Sequence, residues 1–506
     1  MKFLIQKSLF GLAVAALIVG CGTEISGSSS EDPDSGSADF STFVVLGDSL
    51  TAGYADSALY LHGQENSYPA ILAQQFALVG GGAFAQPLRL PEATGSFVGI
   101  PTSAVADRLV LVASGNPERP VAPATIDPTN PTNLIPMPGG LYNNFGVPGA
   151  KSFHTTLTNY GDPAGIAGGT ANPFYVRFAT VPAAVGSSML GDAAARNPTF
   201  FILWIGNNDI LLNALAGSPG PANPTFGVGS TDATPTATFT ATYPGLVAAL
   251  KSATNKGILA NIPNVSAIPY FNTIPFDAIP LTASEAVDLN AQLTAAYDLA
   301  LNAAVGLMLI DAAERDRRRI SFSEGQNPVL ISDDTLTDIS AVFAGPLAPL
   351  IALAQARQAT ADDLILLPAL PKLGEEDTPG DSLTKWGVTL PLLDTDTLIK
   401  DEVDSLENVR AAYNADIKAA ADADPDLLLF DASSLLEELN ASGISYGSGG
   451  ISSAFIQGGG FSLDGVHPTA RGYAVIANEI FKVINEGFDA YIPPVDPNQY
   501  TTVFYQ

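Results

Sequence analysis

The apolar run Phe43-Val44-Val45-Leu46 breaks at once into Gly47-Asp48-Ser49-Leu50, and this junction constrains the fold more than any other stretch of the chain. A short β-branched and aromatic run reads as a buried strand, and the glycine after it makes a tight turn. The apolar and Ala positions that follow, up to Tyr54, suit the start of a helix. A serine at a strand-to-helix turn has its hydroxyl exposed and its N–H near a helix N-terminus, where a developing oxyanion is stabilised. Gly-Asp-Ser is also good turn chemistry in its own right, so these residues alone leave both readings open.

A serine hydroxyl is a poor nucleophile until an oriented base takes its proton. The chain has three histidines, His62, His154 and His467. Asp464 lies three residues before His467, close enough for one loop to bring its carboxylate to the imidazole. Pro468 suits a first helical position, and Ala474 to Ile484 has helical apolar spacing, so a helix fixes the end of that loop. His62 sits in a polar stretch and reads as a surface-loop residue. His154, close behind a Gly/Pro turn, reads as a loop histidine that is near enough to line a site. That turn, Asn144-Phe-Gly146-Val-Pro-Gly149, would present the Gly146 N–H with no side chain in the way. Phe200 to Ile205 reads as another buried strand, followed by Gly206-Asn207-Asn208-Asp209. A side-chain amide at a strand's C-terminal end can donate to an oxyanion. Asp48 and Asp209 read as turn-shaping residues that hydrogen-bond local backbone. Singly, each block has an innocent reading as a turn or helix cap.

In order along the chain, the four blocks resemble those of the SGNH/GDSL hydrolases: Gly-Asp-Ser-Leu, a turn glycine, Gly-x-Asn-Asp and Asp-x-x-His. The resemblance implies that Ser49 is the nucleophile, His467 the general base and Asp464 the residue that orients the imidazole. It makes the oxyanion hole from the Ser49 N–H, the Gly146 N–H and the Asn208 side chain. It further implies a three-layer α/β/α, flavodoxin-like fold with about five parallel strands. The implied activity is hydrolysis of acyl esters through an acyl-enzyme, with no metal and no cofactor required. Carbohydrate O-acetyl ester hydrolysis is the enzymatic alternative, and a non-enzymatic surface-binding lipoprotein is the rival class.

The first twenty residues carry Lys2 and Lys7 ahead of an apolar run, Ser8 to Val19, that is too short to span a bilayer. They end in Leu17-Ile-Val-Gly20-Cys21, which resembles the lipobox of bacterial lipoproteins and implies lipidation of Cys21 after cleavage. Export to the bacterial cell envelope, as an outer-membrane lipoprotein, follows from that resemblance. Cys21 is the single cysteine, which excludes an intramolecular disulfide. Residues 21–40 are rich in Gly, Ser and acids, and read as a flexible tether.

The net charge is −29, which argues against nucleic acid as a partner and against electrostatic docking on anionic headgroups. The expected partner is a small-molecule or lipid acyl ester, with membrane attachment through the lipid. The sequence sets no oligomeric state. The Arg315–Arg319 cluster reads as a helix end or as paired with nearby acids.

The blocks at residues 49 and 467 have to meet, so residues 41–506 form one hydrolase domain that closes across the chain. Strands alternating with amphipathic helices argue for an α/β fold with a parallel sheet covered on both faces. The excess length then lies in large insertions. The spacing predicts helices over Tyr68–Phe76, Glu285 to about Val305 and Val403–Ala421, and strands at Lys256–Asn264 and Leu427–Phe430. Residues 78–140 and 156–198 read as irregular walls of a pocket. An insertion or cap is expected over about 319–404, with a hairpin from Ile320 to Ser332 and an Ala/Leu-rich helix over 340–358. Asp489 to Gln506 is expected to pack across the body.

Overall fold

Every residue of Phe43–Gly47 and of Phe200–Trp204 is buried, and each run is a strand of one parallel sheet. The computed structural model describes residues 32–89, 108–112, 115, 117–118, 142–180, 187–218 and 227–504. The leader, Cys21 and the first part of the tether lie outside the described residues. The sheet strands are β1 (Phe43–Gly47), β2 (Asn144–Gly146), β3 (Phe200–Trp204), β4 (Lys256–Ala260) and β5 (Leu427–Phe430). Their order in space is β5-β4-β3-β1-β2, and all pairs are parallel. Phe43 faces Phe200 and Gly47 faces Trp204 across β1 and β3, while Gly47 faces Gly146 across β1 and β2.

Successive strand residues point to opposite faces, so the sheet feeds two cores. On one face Val44, Leu46, Phe201, Leu203 and Leu259 share a cluster with residues of three helices. These are α3 (Asn208–Leu215), α4 (Thr236–Leu250) and α5 (Lys400–Asp422). On the other face Val45, Ile202, Trp204 and Ile258 pack against α2 (Tyr68–Phe76) and α7 (Ala470–Phe488). Between α5 and α7, α6 (Ala432–Ala441) follows β5. Helices therefore cover both faces of a five-stranded parallel sheet, the arrangement expected of apolar parallel strands. The expected helices over 68–76 and 403–421 and strands at 256 and 427 form where the spacing places them. Asn144–Gly146, expected as part of a turn, is instead the edge strand β2.

A second core, separate from both faces of the sheet, runs from Ile274 to Ile399. It begins well before residue 319, because the Ala/Leu-rich helical stretch after Thr282 belongs to it and not to the sheet. That stretch is helical over Ala283–Leu289 and Ala295–Gly306 with a π-turn between, and Thr282 and Glu285 form a capping box at its start. Within the insert the expected hairpin does not form. Gly325–Asn327 pairs with Ile279–Leu281, and Leu330–Ser332 pairs with Ala356–Gln358. The expected helix over 340–358 is a 3-10 turn at Ser340–Val342, a 3-10 run at Gly345–Leu353 and then a strand. Pro346 and Pro349 lack the N–H an α-helix needs and crowd the preceding turn, which leaves short 3-10 pieces as the accessible form.

The tether is shorter than its composition implies. Asp34 exchanges backbone hydrogen bonds of 3.0 and 2.8 Å with Tyr491, and Phe40 stacks on Phe76 at 4.0 Å. The C-terminal segment runs back across α7, where Asn478 and Asn485 side chains hold the backbone of Val495 and Ile492.

Candidate active site

At the end of β1 the chain has no room for a side chain. A Cβ on Gly47 would stand 2.1 Å from Thr51 Oγ1 and 2.5 Å from the Trp204 carbonyl oxygen. The turn then starts the short helix α1 (Ser49–Ala52), capped by Asp48, whose carboxylate accepts the Leu50 N–H at 3.0 Å. The other Asp48 oxygen accepts from Asn207 Nδ2 at 2.9 Å, so the ends of β1 and β3 are tied together. Burial pushes the Asp48 carboxyl up to about 6, against the pull of those two donors. Ser49 is the first residue of α1, where a backbone N–H has no intrahelical partner.

His467 and Asp464 sit in the loop before α7, as the spacing predicts. His467 Nε2 lies 2.9 Å from Ser49 Oγ, and His467 Nδ1 lies 2.9 Å from Asp464 Oδ2. Asp464 also accepts the Val466, His467 and Ser57 N–H groups at 2.9, 2.8 and 2.8 Å, and the Ser462 hydroxyl at 3.0 Å. Burial alone would raise its carboxyl. The charge of His467 and its hydrogen bonds, with the Ser57 N–H, outweigh burial and hold it at about 2. The Tyr54 ring packs on the imidazole at 4.7 Å between centroids. A serine hydroxyl, an imidazole and a buried carboxylate thus stand in one hydrogen-bonded line.

Of the three donors that the resemblance assigns to an oxyanion, two face the cleft. Ser49 and Asn208 both line a cavity of about 440 Å³ together with His467. Asn208 Nδ2 gives one hydrogen to the Ala150 carbonyl at 3.0 Å, which holds the amide flat and leaves its second hydrogen to the cleft. Gly146 is placed differently. Its N–H donates to Asn144 Oδ1 at 2.8 Å, and a Cβ there would meet the Ala52 nitrogen at 2.3 Å. Its glycine serves the close packing of β2 on α1. Gly149, three residues on, lines the cleft with φ +77, and its N–H has no hydrogen-bond partner among the described residues. The turn reading of this block treats both glycines alike. The cue that separates them is the Asn144 side chain, which stands two residues before Gly146 and folds back onto its N–H.

The remaining sequence candidates separate cleanly. His154 lies outside the cleft; its Nδ1 takes the Lys151 N–H at 3.1 Å, and its ring stacks on Tyr160. Burial pushes it down to about 4. His62 contacts Thr501 Oγ1 at 2.9 Å, away from the site. Asp209 does not shape a local turn. It accepts the Ser152 N–H and hydroxyl at 2.7 and 2.6 Å, fastening the loop after Gly149 to α3. Of the residues that follow α1, Ala55 to Tyr60 and Tyr68, only Ser57 lines the cleft. Tyr68 is fully buried, with its hydroxyl 2.8 Å from Thr51 Oγ1. The cleft's apolar wall comes instead from Tyr54, Phe174, Leu211, Leu215, Tyr270 and Val466. Asn172, which sequence reasoning misses, donates to the Pro148 carbonyl at 2.8 Å and sets the approach to Gly149.

No protein-family model, curated protein or solved structure matches this chain. The assignment of chemistry to the cleft therefore rests on its own geometry.

Proposed function

We propose that this protein is a serine ester hydrolase of the SGNH/GDSL type, cleaving acyl esters through an acyl-enzyme. The observation that carries the reading is the Ser49–His467–Asp464 line opening onto a cleft that holds Asn208 and Gly149. In sequence order the sheet runs 2-1-3-4-5, the order of flavodoxin-like sheets, whose sites lie beyond the carboxyl ends of the strands. Ser49, Gly149 and Asn208 follow β1, β2 and β3, which supports that placement.

In this reading His467 takes the Ser49 proton as Oγ attacks the ester carbonyl, and Asp464 stabilises the imidazolium. The oxyanion receives the Ser49 N–H, the Gly149 N–H and the Asn208 amide. His467 then protonates the leaving alcohol, and water releases the acyl group by the same route. The leucines on α3 and the rings of Phe174 and Tyr270 suit an acyl chain better than a hydrated sugar. The lipobox supports a lipid anchor at Cys21 and an envelope location.

The test is turnover of p-nitrophenyl acyl esters from acetate to palmitate, beside Ser49→Ala. The expected result is activity that peaks above acetate and falls about a thousandfold or more in the variant. Acetate as sole substrate would redirect the reading to deacetylation. Unchanged turnover in Ser49→Ala, or no labelling of Ser49 by a fluorophosphonate, would overturn it.

A further inference from the structure

Just past the helix that carries Ser49, Ala55 and Ala58 exchange backbone hydrogen bonds of 3.1 and 2.9 Å. The two residues between them, Asp56 and Ser57, both take positive φ, +53 and +59. This is the pattern of a type I′ turn, which Asn-Gly usually fills. Aspartate tolerates the left-handed region; serine enters it at a cost. A turn of this kind without glycine persists only where its surroundings over-determine it.

The surroundings are the Asp464 loop. The Ser57 N–H donates to Asp464 Oδ2 at 2.8 Å. The Asp56 N–H donates to Ser462 Oγ at 2.9 Å, and that hydroxyl donates onward to Asp464 Oδ1 at 3.0 Å. The Asp56 carboxylate, 1% exposed, accepts the Leu463 N–H at 3.0 Å on one oxygen and the Tyr60 hydroxyl at 2.7 Å on the other. With Ser57 at positive φ its N–H meets Asp464, while Asp56 is bound to Ser462 through its N–H and to Leu463 through its carboxylate.

We propose that Asp56 is a positioning residue for the Asp464–His467 pair, fixing the loop that presents Asp464 and placing a second buried carboxylate behind the first. Its consequence for rate rests on the hydrolase reading; its consequence for the imidazole does not. A second buried negative charge behind Asp464 favours the imidazolium that forms when the Ser49 proton is taken up. Burial pushes the Asp56 carboxyl up to about 6. The Leu463 N–H, the Tyr60 hydroxyl and Arg108 pull it down, and Asp464 raises it. Arg108 lies over the Tyr60 ring, 5.3 Å from its centroid. The extra charge is therefore present above about pH 6 and absent below it.

Asp56→Asn tests this with little risk to the fold, since asparagine suits positive φ and still accepts the Leu463 N–H. The expected result is a roughly tenfold loss of kcat at pH 8 with KM unchanged, a typical cost of removing an outer-shell partner. The loss shrinks toward pH 5, where Asp56 is neutral in the native protein as well. Ser462→Ala keeps the charge and cuts the link, so its loss of kcat is the same at every pH. A readout independent of turnover is the ring proton NMR signal of His467, assigned with His467→Ala. Its titration midpoint is expected to fall in Asp56→Asn relative to the native protein. A pH-independent loss in Asp56→Asn, a native kcat in Ser462→Ala, or an unmoved ring midpoint would each overturn the proposal. If Ser49→Ala retains full turnover, the hydrolase reading fails and the ring titration still decides the role of Asp56.

Discussion

Asn208 gives one amide hydrogen to Ala150 and keeps the other for the cleft, so the Ala150 carbonyl aims the side chain before any substrate arrives. Donors already in place act on a developing charge without reorganisation, and removing one costs about 10²–10³ in kcat. Asn208→Ala is expected to show that loss in kcat for p-nitrophenyl esters while KM changes little. The neighbouring glycines make a sharper pair. Gly146→Ala forces a Cβ to within 2.3 Å of the Ala52 nitrogen, so it is expected to lower the unfolding temperature by several degrees, read by circular dichroism. The nearest atom to a Cβ on Gly149 is Asn172 Nδ2, at 3.9 Å. Its φ of +77 still disfavours alanine, but by less than a backbone clash. Native stability in Gly146→Ala would contradict a packing role for that glycine. That Ser49, Asp464 and His467 come together is legible in the sequence because the grouping attaches to residue types in ordered blocks. Which glycine N–H is left open to the cleft is not, because what decides between Gly146 and Gly149 is one hydrogen bond, from the Gly146 N–H to the Asn144 side chain.

The same contrast holds for whole elements. Runs such as Phe200–Trp204 declare themselves, since a short aromatic and β-branched run between turn residues suits a strand buried on both faces. The insert is harder to read, because Ala, Leu and Pro over 340–358 carry helical spacing and helix-breaking residues together. Its C-terminal end runs straight into α5, whose first turn holds a carboxyl group that the sequence does not mark as unusual. Glu402 accepts the Ile399 N–H at 2.8 Å as part of a capping box, yet it is buried close to Asp394, Asp334 and Asp333. Burial first, then those three carboxylates, push it up to about 9. Its folded state thus holds a proton that the unfolded chain releases above its ordinary value of 4.5. This group therefore weakens the fold progressively as pH rises from 4.5 toward 9. Glutamine keeps the capping carbonyl without the charge. Glu402→Gln is expected to be more stable than the native protein at pH 8, by at least about 1 kcal/mol, with the gain vanishing near pH 4.5. Denaturant unfolding at the two pH values checks this, and equal stability at pH 8 would refute it.

At the scale of the molecule, the two ends of the described chain meet over the layer that carries α7. Asp34 pairs with Tyr491, and beyond it the C-terminal strap continues toward the loop that carries Asp464. The Arg471 N–H donates to the Thr501 carbonyl at 3.0 Å, the Leu111 N–H to the Phe504 carbonyl at 2.8 Å, and Val503 packs with Leu463 and Leu111. Leu463 is the residue before Asp464, and its N–H is the one held by Asp56. The strap therefore covers the outer side of the loop that the Asp56 turn grips from within. Its composition shows only that Tyr- and Pro-rich residues need a surface to lie on; which surface depends on contacts with α7 and Leu463 and with Leu111, almost four hundred positions earlier. Ending the chain after Asp496 would leave Ile492 and Val495 on α7 but strip the cover from Leu463. Because the sheet and both its helical layers remain, the unfolding temperature is expected to fall by only a few degrees. Because Leu463 is then exposed beside Asp464, kcat for short esters is expected to fall by more than that loss of stability explains, measured well below the unfolding transition. A truncated protein with native kcat would show that the loop is held by the Asp56 side alone.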